Sequence, residues 1–162
     1  MAALQEEAVH REDGDLIIFL QLMDLSQILS ELRDYADDCI NSHAHPDDFH
    51  KFSPFTCSSC SCGALRLTVE HHTGSEEWNF RGIIWGECSS CGYLIRLFTF
   101  TGEHREKLKE ERPECDCGNR VFVSALLERI EGEQGIPGFF DEGVIAGKCT
   151  ECNRNRTIVF ID

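Results

Sequence analysis

The sequence predicts an α+β chain that is mostly β, with an amphipathic helix followed by two tandem, cysteine-clasped β units. Three observations lead there. Apolar residues recur at spacings of three and four between Asp24 and Cys39, short alternating runs replace them after Cys57, and the cysteine-rich remainder repeats itself.

The helix comes first. Leu25, Ile28, Leu29, Leu32, Tyr35, Ala36 and Cys39 fall on one stripe, and Asp24 with Gln27 offers a capping-box-like start. Leu16, Phe19, Leu20 and Met23 fit the same face, so the start can also lie at Asp15. Ahead of it, residues 1–14 are polar, acidic and without periodicity, the pattern of a disordered lead-in. Leu25, Leu29 and Leu32 are expected to be buried, with the stripe either packed across the β units or paired with its copy in a second chain. Residues 15–56 therefore read as helix and linker, the helix broken at His45-Pro46.

The linker holds His43, His45, Asp47, Asp48 and His50, all capable metal ligands. A polar connection is the plainer account, because a catalytic ion wants fixed ligands and an oriented surround. His71 and His72 read as a solvated strand end, and Cys39 as a small apolar residue on the stripe.

From Cys57 the pattern is β. Leu65, Leu67 and Val69 alternate with Arg66, Thr68 and Glu70, as a strand covering a small core requires. The stretch Cys60-Ser-Cys62-Gly63 is matched 55 positions on by Cys115-Asp-Cys117-Gly118. Gly82-Ile-Ile-Trp-Gly86-Glu-Cys88-Ser-Ser-Cys91 is matched at an offset of 61 by Gly143-Val-Ile-Ala-Gly147-Lys-Cys149-Thr-Glu-Cys152. Both copies end in apolar strands, Leu94 to Phe100 and Thr157 to Ile161, which gives units 57–102 and 103–162. Gly132 to Gly143 lacks the Lys-Ser/Thr of a phosphate loop and reads as a hairpin.

Each unit supplies two close pairs of thiols separated by a β hairpin, which is what a tetrahedral ion needs for four ligands at about 2.3 Å. The expected ligands are Cys60, Cys62, Cys88 and Cys91 in the first unit, and Cys115, Cys117, Cys149 and Cys152 in the second. The first set has a competitor, since Cys57-Ser-Ser-Cys60 is also a CxxC. The repeat favours Cys62, because only that register lays Gly63 over Gly118 and gives both knuckles a glycine free to take positive φ. In this arrangement the chain from Cys57 to Asp162 resembles the zinc-ribbon fold group. The resemblance implies two tandem ribbons holding two structural Zn2+ ions. Iron is the alternative, as Cys88-Ser-Ser-Cys91-Gly92-Tyr93 is similar to a rubredoxin knuckle. Buried core thiols or disulfides are the other account; close CxC and CxxC pairs without a signal peptide favour metal and a cytoplasmic location.

The formal net charge is −14, and residues 1–56 carry 12 acids against 3 bases. Such a field repels phosphate backbones, so nucleic acid is disfavoured as a partner, and the longest apolar run, Leu16 to Leu20, cannot cross a membrane. Trp78, Phe80, Trp85, Phe98 and Phe100, with Arg66, Arg81 and Arg96 among them, can form a base-stacking surface, but small ribbons need large side chains for their core. Arg154 and Arg156 flank the last knuckle. The functional expectation is a non-catalytic zinc-binding adaptor or regulatory protein with a basic protein partner. A nucleic-acid-associated or transcription-related ribbon and a redox or metal-handling protein are the alternatives.

Overall fold

The computed structural model describes residues 13–40, 48–72, 82–100, 108–131 and 139–161. One helix, α1 (Asp13–Ile40), precedes eight strands: β1 (Phe49–Pro54), β2 (Ala64–His72), β3 (Gly82–Cys88), β4 (Leu94–Phe100), β5 (Leu108–Glu111), β6 (Val121–Glu131), β7 (Phe139–Cys149) and β8 (Asn155–Ile161). The strands form one antiparallel sheet in the order β4-β3-β2-β6-β7-β8. The chain is thus mostly β, with the helix leading. Residues 1–12, 41–47 and 73–81, and with them His43, His45, Asp47, Trp78, Phe80 and Arg81, lie outside the described residues.

Two three-stranded ribbons, β2-β3-β4 and β6-β7-β8, meet edge to edge where Ala64, Leu65 and Arg66 pair with Val123, Phe122 and Val121. Beyond that seam the inward faces of both ribbons share a core of Val69, Ile84, Leu126, Ile145, Val159 and Ile161. The leading strands cross over. β1 precedes the first thiol pair but pairs with β6 of the second ribbon, and β5 precedes the third thiol pair but pairs with β2 of the first. Since β1 starts at Phe49, the first repeat reaches back into the stretch 15–56 that the sequence assigned to helix and linker.

The repeat extends to irregularities of the backbone. The β3–β4 register shifts between Ile84 and Trp85, skipping Leu97; the β7–β8 register shifts between Ile145 and Ala146, skipping Ile158. Each bulge turns an aliphatic side chain onto a glycine. A Cβ on Gly86 would lie 2.9 Å from Leu97, and one on Gly147 would lie 3.2 Å from Ile158. These glycines therefore make room for the bulged residue, a need that was invisible from their spacing alone.

Helix α1 lies on the outer face of the second ribbon. Leu32, Ala36 and Ile40 pack on Ala125, Leu127, Val144 and Ala146, so β6 and β7 are covered on both sides. That is why residues 122–127 are all buried and show no alternation. The small side chains of Ala125 and Ala146 let the helix approach closely. Of the three leucines expected to be buried, Leu32 is fully so, whereas Leu25 and Leu29 are half-buried toward the knuckle end. Asp24 lies within the helix rather than capping it, and Gln27 donates to Glu31 at 3.0 Å, one turn on. Replacing Leu32 with Ala should cost about 2–5 kcal/mol in urea unfolding, because a closely packed sheet face cannot collapse into the void.

Two polar contacts orient the helix. Lys148 on β7, nearly buried, pairs with Glu31 and donates to it. The Lys148 ammonium holds the Glu31 carboxyl below the usual carboxylate range. A lowered folded-state pKa stabilises above the unfolded pKa and is lost as pH falls through the folded value. The melting-temperature gap between wild type and Glu31→Gln should accordingly be present at neutral pH and close on acidification. At the other end, buried Arg129 donates to the carbonyl of Ile40 at 3.2 Å, closing the helix C-terminus.

Candidate metal centres

Four tight turns, built alike, carry the thiols. In each, the N–H of the first cysteine donates to the carbonyl two residues beyond the second: Cys57 to Cys62, Cys88 to Tyr93, Cys115 to Asn119 and Cys149 to Arg154, at 2.8–3.0 Å. The residue just after the second cysteine is left-handed in every turn: Ser61 (φ 59), Gly92 (φ 71), Gly118 (φ 87) and Asn153 (φ 57). This conformation aims successive N–H groups at the sulfurs. Glycine adopts it freely and asparagine tolerates it; serine adopts it at some cost.

The turns bring together Cys57, Cys60, Cys88 and Cys91 in one group and Cys115, Cys117, Cys149 and Cys152 in another, all sulfurs of each group lying within 4.8 Å of one another. Across the turns, Cys57–Cys91 and Cys60–Cys88 are 3.6 and 3.5 Å apart, and Cys115–Cys152 and Cys117–Cys149 are 3.4 and 3.6 Å. These are non-bonded separations, close to the roughly 3.8 Å edge of a tetrahedron with metal–sulfur bonds of about 2.3 Å.

The second group is the one the spacing suggested. The first corrects the expected set: Cys57, and not Cys62, is the fourth member. The reason is the register. Within each ribbon Leu65 pairs with Cys88 and Phe122 with Cys149, so Leu65 corresponds to Phe122 and the strands align at an offset of 57 instead of 55. Cys60 then corresponds to Cys117, the left-handed Ser61 to Gly118, and Cys62 to Asn119. Gly63 has no positive φ and sits against Leu25 of the helix. Counting back from the first inward strand residue, five positions to the second thiol in both units, gives the correct alignment. Matching the letters Cys-x-Cys-Gly does not.

Four thiols this close cannot all ionise without a cation. Cys88 is drawn down to about 6 by the N–H of Cys91, with that of Ser90 adding to it, while Cys60, although the N–H of Cys62 favours its thiolate, is pushed up to about 12 by Cys88 and Cys91. In the second group burial opposes ionisation of Cys149, but the N–H of Cys152 and the Asn119 amide outweigh it and bring it to about 6. Cys117, although the N–H of Asn119 favours its thiolate, is pushed up to about 12 by burial and by Cys149 and Cys152. A soft divalent cation relieves this competition, so the donor set fits a metal ion.

The remaining sequence candidates are tied into structure. His50 bonds Asp37 at 2.7 Å, Asp48 faces Arg129 at 3.8 Å and His71 approaches Glu111 at 3.3 Å. Cys39 packs with the helix stripe against Thr157. Phe98 lies on the shared core, and Trp85 is half-buried on the outer face of the first ribbon. Arg154 and Arg156 both pair with Asp116, at 3.8 and 2.9 Å, and Arg120 with Glu114. Among the described residues no helix is long and apolar enough to cross a membrane. Comparison with family models, curated proteins and solved structures gave no match.

Proposed function

We propose that the protein is a non-catalytic, zinc-ribbon-type scaffold whose two four-thiol groups each hold a structural Zn2+ and which binds another protein, one with a basic surface. The observation that supports this most strongly is the closure of both sites. Four protein thiolates complete a tetrahedral ion, leaving no position for water or substrate, so the metal's role is to fix the turns. Bound zinc supplies no redox chemistry; it fixes geometry and absorbs the charge of the thiolates.

The surface favours a protein partner. Asp34 and Asp38 are exposed on the outward side of α1, and Tyr93 and Leu94, 51% and 59% exposed, stand at the tip of the first site. The arginines beside the second site are occupied by Asp116 and Glu114, which weakens the nucleic-acid reading. The test has two arms. Native mass spectrometry of the purified chain should show two zinc ions and no visible absorption; a coloured iron protein would overturn the metal assignment. Capture from native lysate should retain a partner that resists nuclease and is lost when Asp34 and Asp38 are changed to Lys. A band retarded on DNA or RNA at physiological salt would overturn the adaptor reading.

A further inference from the structure

The first site has five thiols around it, and the fifth occupies a defined place. Cys62 corresponds to Asn119, and the two side chains engage their surroundings alike. Val121 N–H donates to Asn119 Oδ1 at 3.2 Å, and Ala64 N–H approaches Cys62 Sγ at 3.4 Å. Asn119 Nδ2 lies 3.0 Å from Thr150 Oγ1 and Cys62 Sγ 4.0 Å from Ser89 Oγ, Ser89 being the counterpart of Thr150. From this place Asn119 reaches directly to a sulfur of its own site, donating to Cys149 Sγ at 3.2 Å. In the first unit the same place holds a thiol, half-buried, that accepts from Ser90 Oγ at 3.3 Å and follows Cys60 by two residues; Cys88, the counterpart of Cys149, meets Cys60 at 3.5 Å.

We infer that Cys62 is the reserve ligand of the first site, able to replace Cys60 while Cys57, Cys88 and Cys91 stay bound. The inference rests on the reading that both groups hold zinc. In the exchange a sulfur–metal bond to Cys62 forms and the bond to Cys60 breaks; the proton leaving Cys62 is balanced by one taken up on Cys60, and no electrons move. Cys60 is the exposed member of its turn, so the arrangement keeps the ion in place when that exposed ligand is lost. The second site has an amide in this position and lacks the device.

Zinc counting by native mass spectrometry on the full chain tests this, with cobalt substitution to read the number of thiolates. Wild type should carry two zinc ions, Cys60→Ser two, Cys60→Ser/Cys62→Ser one, and Cys117→Ser one. In the Cys60→Ser protein loaded with cobalt, the first site should still absorb as a four-thiolate centre. Moving the device should move the tolerance: Asn119→Cys should restore the second zinc to Cys117→Ser. One zinc or none in Cys60→Ser overturns the reserve-ligand assignment, as does the absence of rescue by Asn119→Cys. Fewer than two zinc ions in wild type would sink the underlying structural-zinc reading instead, so the two failures are distinguishable.

Discussion

Cys57→Ser is expected to carry one zinc ion instead of two, while Cys62→Ser keeps both. Cys57 is 1% exposed and lies 3.6 Å from Cys91, and the reserve thiol stands in for Cys60 alone, so it does not compensate for Cys57. Structural zinc contributes on the order of 10 kcal/mol to folding, which is comparable to the whole stability of an ordinary domain. Loss of the ion should therefore unfold more than one turn. The two ribbons share a core and exchange their leading strands, so Cys57→Ser should also lower the melting temperature of the second unit. Zinc counting and the unfolding profile check the two halves of this expectation. A Cys57→Ser chain with two zinc ions would remove the present ligand set.

The second large effect is expected at Arg129. Its side chain is 8% exposed, lies 2.8 Å from Glu142 and 3.8 Å from Asp48, and closes the end of α1 through the Ile40 carbonyl. Replacing a buried pair with apolar groups can be neutral, but removing one partner leaves uncompensated charge. Arg129→Met should accordingly cost about 3–5 kcal/mol in denaturant unfolding. Adding Glu142→Gln and Asp48→Asn to Arg129→Met should recover part of it. A single variant as stable as wild type would show that the cluster is dispensable.

Much of this architecture is legible in the residues. The helical stripe, the alternation of Leu65, Leu67 and Val69, and the repeated cysteine pairs place the helix, the ribbons and seven of the eight thiols in order. The first turn was harder to read. The second copy of the strand, Val121 to Leu127, is buried on both faces and shows no inward phase against which to check an alignment. The eye then falls on Cys-x-Cys-Gly, whose glycines play different parts: Gly118 is left-handed, and Gly63 abuts Leu25. Ser61 gave no signal of its left-handed conformation because serine rarely adopts it. The crossing of β1 and β5 was hidden for another reason. Strand partners this far apart in sequence are chosen by shape, and Phe49 to Pro54 has no alternation strong enough to announce a strand.

That crossing bears on how such a chain can be divided. A cut between β4 and β5 yields two halves of similar plan, and each parts with the strand that completes its neighbour. Neither half on its own would have its full set of strand partners; two copies of one half, arranged about a two-fold axis, would supply each other with what the cut removed. The single chain thus has the anatomy of a symmetric pair joined end to end. Its largest break in symmetry is α1, whose stripe packs on β6 and β7 of the second half; among the described residues no helix covers the outer face of the first, around Trp85.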